Sequence, residues 1–187
     1  MSEENEPREL PIPEGGPKGP DQKPLKELDP FKVQMYLSEI RDNQNLGLGI
    51  IGGLGAALLG AIVWAAISYL TDYRVGALAI GIGFLVALAV RFTGRGIDIS
   101  FRITAAVLAL AGCAFGNLLI YSYWIAEETG LGIQEVLTGL DLELVTDIFS
   151  STFTGYDIIF YALAVYAGYK YSAFQIPDNK LAELAKK

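Results

Sequence analysis

Histidine is absent from the 187 residues, and Cys113 is the single cysteine. The first absence removes imidazole general bases, histidine-based nucleophile triads, HExxH zinc sites and axial-histidine haem ligation. The second removes an intramolecular disulfide and a thiolate set for structural zinc, so the lone thiol reads as a small core residue. Charge is also scarce, at 19% of residues, where about a quarter is ordinary. A net charge of −7 with no basic cluster argues against a nucleic-acid partner. The segment GIGFLVALAV begins like a dinucleotide GxGxxG motif, but it lacks the third glycine and lies inside an apolar run. No catalytic, cofactor-binding or metal-ligating residue is therefore assigned.

What is present is apolar sequence, 52% of residues with a mean hydropathy of +0.37. The charges crowd into the ends and short connectors, a pattern that belongs to an integral membrane protein. Residues 1–28 hold Pro7, Pro11, Pro13, Pro17, Pro20 and Pro24 among glycines and charges. Such a stretch buries no core and reads as a disordered tail rather than a signal peptide. At Asp29-Pro30 a cap and a first-turn proline open an amphipathic juxtamembrane helix over 29–45. It either lies along the cytoplasmic interface, with Lys32 and Arg41 toward anionic lipid, or prolongs the first span.

Four apolar segments follow, at 46–70, 75–92, 101–126 and 157–176. About 20 residues cross a hydrocarbon core, and the shorter second segment is extended by snorkelling of Arg91. The connector 127–156 carries helical-period apolar residues at Leu142, Val145 and Phe149, which points to one or two short amphipathic surface helices. Residues 177–187 form a polar end. The expected fold is an all-α, integral membrane four-helix bundle with transmembrane domain 46–176.

Every basic residue except Arg74 falls on one side of that arrangement. The positive-inside rule then puts both termini in the cytoplasm, with the chain in a plasma (bacterial inner) membrane. The acidic connector, with Glu127, Glu128, Glu135, Asp141, Glu143 and Asp147, faces outward. Tyr69, Tyr73, Tyr121, Tyr123, Trp124 and Tyr156 make an aromatic belt there.

Small residues recur every three or four positions: Gly49, Gly53, Ala56 and Gly60; Gly76, Ala79, Gly83 and Ala87; Ala105, Ala109, Gly112 and Gly116. Such stripes let helix backbones approach closely, as packing seams within the chain or as a self-association face. Asn117, an amide at membrane depth, seeks a partner on a neighbouring helix. Asp157 and Tyr161, one turn apart, form a candidate polar site, with Asp157 read first as a helix cap.

The run Gly76 to Leu119, GALAIGIGFLVALAVRFTGRGIDISFRITAAVLALAGCAFGNLL, resembles the glycine-rich core of a family of small bacterial multi-span membrane proteins. That family has no assigned reaction, so the resemblance implies a bacterial origin and transfers no functional residue. The expected function is a non-enzymatic membrane scaffold or accessory subunit. Its partners are the lipid bilayer and either a second copy or another membrane protein, with no cofactor. Two alternatives stand beside it: a small channel or transporter, and a membrane enzyme using Asp157 with Glu127 or Glu128 at the outer face.

Overall fold

The structure, a computed structural model, describes residues 29–73, 75–152, 154–173, 176 and 180. The proline-rich tail, Arg74 and nearly all of the polar end at 177–187 lie outside them. Every element among the described residues is an α-helix: α1 (Pro30–Asn43), α2 (Leu46–Thr71), α3 (Leu78–Gly94), α4 (Ile99–Thr129), α5 (Ile133–Thr138), α6 (Leu142–Thr152) and α7 (Gly155–Tyr171).

The helix starts follow local chemistry. Asp29 accepts a hydrogen bond from the Phe31 amide at 3.0 Å, with Pro30 in the first turn. Gln44 and Asn45 are extended, which separates α1 from α2, and the Asn45 side chain caps α2 through the Leu48 amide at 3.0 Å. Three helices end on a left-handed residue, Asp72, Arg95 or Gly130. Val75 to Ala77 form a turn, so α3 begins at Leu78, later than hydropathy alone suggests.

By length and composition α2 and α4 can each cross a membrane, whereas α3 is apolar but only 17 residues long. The segment Leu142–Ser150 and α7 meet at a 106° elbow and meet the length requirement only as a pair. Two helices, or three counting that pair, are thus candidate spans. Of the four spans expected from the sequence, length and composition by themselves support two or three. The shortfall lies at the ends of α3 and α7: the Val75–Ala77 turn delays the start of the first, and the second ends at Tyr171 rather than at 176.

Helices α3 and α4 form the centre, each packed on both α2 and α7, while α2 and α7 have no comparable contact with each other. Gly60 beside Ile82, Gly83 beside Ala164 and Gly168 beside Ala105 show α3 antiparallel to α2, parallel to α7, and α7 antiparallel to α4. Asn45, Gly94, Asp98 and Lys170 therefore share one end with Arg91, Arg95 and Arg102. Asp72, Glu127 and Glu128 lie at the other. Helices α5 and α6 pack on α4.

Side-chain size is inverted relative to a water-soluble bundle. The buried faces are rich in alanine and glycine around Trp64, Val86, Val90 and Phe101, whereas Leu58, Leu59, Ile62, Val63, Ile103 and Val107 are exposed. A soluble helix puts large apolar residues inside and polar ones outside.

Candidate functional site

The glycines singled out by their spacing meet named neighbours. A Cβ on Gly49 would touch Gly94 and the Phe101 ring at about 3.4–3.5 Å, and one on Gly53 would press on Leu108 and Val90 at 2.6 and 2.7 Å. Gly60 faces Ile82, Gly112 faces Ile82 and Ala57, Gly116 faces the Trp64 ring, and Gly76 faces Phe160. The tightest approach to backbone is Gly83, whose added Cβ would overlap Ala164, including its carbonyl oxygen. Gly168 was not singled out, yet it sits against the Ala105 carbonyl, where a Cβ would lie 2.9 Å from the oxygen. Ala164 four residues earlier was the available signal, a small-xxx-small pair on α7.

Asn117 and Tyr161, read separately in the sequence, are joined. The Asn117 amide donates to the Tyr161 hydroxyl at 2.6 Å, and that hydroxyl donates to the Cys113 carbonyl at 3.0 Å. The Cys113 thiol reaches the Ala79 carbonyl at 3.6 Å. All three residues are buried, so a polar knot ties α4 to α7 and, through the thiol, to α3. Four further buried polar atoms, Gln44 Oε1, Trp64 Nε1, Ser68 Oγ and Ser122 Oγ, have no hydrogen-bond partner among the described residues.

Asp157 is 3% exposed and sits at the third position of α7, where its Oδ2 accepts from the amide and the hydroxyl of Thr154, both at 2.8 Å. This is a capping box, favoured by the positive end of the helix dipole. The residue borders a cavity of about 490 Å³ with Tyr73, Gly76, Thr154, Tyr156 and Phe160, and no second carboxylate lines it among the described residues. Glu127 and Glu128 are exposed at the far end of α4.

At the basic end Asp98 does not cap its own helix. Its carboxylate instead accepts from Gln44 Nε2 and pairs with Arg41 Nε at 3.4 Å, while the Asn45 amide donates to the Gly94 carbonyl at 3.0 Å. These bonds fasten the α1–α2 junction to the α3–α4 connector. Asp98→Ala should release the junction, seen as faster tryptic cleavage at Arg41. The unfolding free energy of the bundle should move by only about 1 kcal/mol or less, because the ion pair is solvent-exposed. Unchanged cleavage at Arg41 would mean that the bond to the Gly94 carbonyl holds the junction unaided. Beside this junction, Arg102 lies over the Tyr169 ring at 5.7 Å and Lys170 over Tyr166 at 5.2 Å.

Comparison with protein-family models, with curated proteins and with solved structures finds no match to this chain.

Proposed function

We propose that α2, α3, α4 and α7 are four membrane spans of a bacterial inner-membrane protein with both termini cytoplasmic, acting without catalysis as a scaffold or accessory subunit. The kinship with small glycine-rich multi-span bacterial proteins belongs to the same reading. Exposed leucine, isoleucine and valine around an alanine–glycine interior support a lipid surround. A helix of 17 residues is about 26 Å long. Arg91 near its end can snorkel and absorb the small mismatch. The basic end of the bundle is the cytoplasmic one on the positive-inside rule.

The observation that carries the functional reading is the sealed interior. From the Asn117 level to the basic end, the centre is filled by Val86, Val90, Ala105, Ala109, Ala164 and Gly168, all buried. Gly83 and Gly168 touch backbone directly. Among the described residues the buried side chains along that stretch are apolar except the Cys113 thiol and Ser172 at its end, and none is charged, which counts against the channel or transporter alternative. The Asp157 carboxylate is engaged by the amide and hydroxyl of Thr154 as the cap of α7, which weighs against the outer-face enzyme.

The test joins two measurements on the full chain. In proteoliposomes, leak of a panel of ions and small solutes should equal that of empty vesicles. Mild purification from the native membrane followed by intact-assembly mass spectrometry should retain a stoichiometric companion, either a second copy or another protein. Selective flux, or a lone monomer without companions, would sink the proposal.

A further inference from the structure

Nearly all glycines inside the packed helices are consumed by contacts within the chain, but Gly55 on α2 and Gly81 on α3 have nothing within 4 Å of an added Cβ. Both lie on the outward side of the α2–α3 pair. There Gly60, Gly81, Leu59, Val63, Leu78 and Leu85 border a furrow of about 230 Å³ that reaches inward to Trp64. Trp64 is 1% exposed and its Nε1 has no acceptor among the described residues. The Cε3–Cζ3 edge of its indole is seated at Gly116 of α4. Nε1 is on the opposite edge of the ring system and is itself buried.

A helix-interior glycine with an open face lowers stability relative to alanine, and a buried N–H without an acceptor lowers it further. A second helix backbone closing on the furrow turns the open glycine faces into contact surface, because glycine removes the Cβ barrier to approach. Hole and ridge stand side by side here: Gly55 and Gly81 are flanked by Leu59 and Val63, which are 62% and 55% exposed. A patch carrying both parts can match its own copy across a two-fold axis. The exposed portions of Leu48, Leu59, Val63, Leu85 and Phe92 amount to on the order of 500 Å² per copy, more than half of the ~800 Å² per partner of a stable interface.

We infer that the α2–α3 face, with the furrow over Trp64 at its centre, is the surface on which a second copy of this chain docks. This rests on the scaffold reading and names its partner. It also puts the contact on glycines other than the interior stripes, which are already occupied.

The test follows self-association of the full chain in bicelles at increasing dilution, by energy transfer between labelled copies. Trp124→Phe leaves Trp64 as the one tryptophan, so its indole N–H resonance reads directly. Gly55→Ile and Gly81→Ile should each weaken association about tenfold or more. Val107→Phe, on the lipid-facing side of α4, should not. Leu59→Ala serves as a second, fold-neutral disruption, and helicity checks each variant. The Trp64 resonance should move on association in the parent and stay at its monomer position in Gly81→Ile.

Self-association unaffected by all three α2–α3 substitutions, or a Trp64 resonance blind to dilution, would overturn the inference. So would a monomer that retains a different protein through this face, although that result leaves the scaffold reading intact. A monomer with no companion removes both.

Discussion

Gly83→Ala should unfold the bundle far more readily than its single added methyl suggests, by about 1–3 kcal/mol or more, because that methyl must displace the Ala164 backbone rather than a movable side chain. Helices α3 and α7 would have to separate, and with them the contacts that hold α7 in the bundle. Gly168→Ala, against the Ala105 carbonyl, should destabilise in the same sense through the α4–α7 seam. The same change at Gly55 or Gly81 should have the opposite sign in the monomer, a gain of about 0.5–1 kcal/mol, since nothing obstructs the Cβ and alanine loses less backbone freedom on folding. Unfolding in mixed micelles, followed by helical circular dichroism at dilutions where the chain is monomeric, measures all four. A uniform response across the four positions would mean that the helices are not rotated as described.

Tyr161→Phe is expected to destabilise by about 1–3 kcal/mol, because it removes the acceptor of the Asn117 amide and the donor to the Cys113 carbonyl at once. The loss of volume is a single oxygen, so the effect reports the polar knot rather than a cavity. Asn117→Leu removes the other partner, and a double-mutant cycle isolates the bond between them. Couplings of this kind between membrane helices average ~0.6 kcal/mol and reach ~1.7. The short 2.6 Å contact between buried groups places this pair toward the upper part of that range. Additivity of the two substitutions within about 0.3–0.5 kcal/mol would show that α4 and α7 are not joined there.

Both predictions depend on rotation of helices about their axes, which the sequence conveys only in part. Small residues at three- and four-residue spacing mark one face each of α2, α3 and α4, and Gly49, Gly53, Gly60, Gly83, Gly112 and Gly116 are buried on those faces. Size supplied the orientation that hydropathy could not, since these helices are apolar on every side. The same signal passed over Gly55 and Gly81, which belong to the same glycine-rich runs but point outward. It missed Gly168, which is buried on α7. Asn117 and Tyr161 were each conspicuous as polar residues in apolar surroundings, yet they stand 44 positions apart and nothing in the chain between them announces a bond.

The sequence by itself determined that the chain is helical, where its long apolar helices run to within a few residues, and how α1 starts. Apolar runs, the Asp29-Pro30 start and the absence of histidine are local properties, legible without knowing what lies opposite. Only the tertiary structure decided which glycine meets which backbone, that Asp98 holds α1 instead of capping α4, that α6 and α7 meet at 106°, and that the Trp64 donor has no acceptor among the described residues. Each of these is a relation between residues distant in sequence. Spacing along one helix fixes which side chains share a face, but the direction of that face is set by how closely neighbouring backbones can approach.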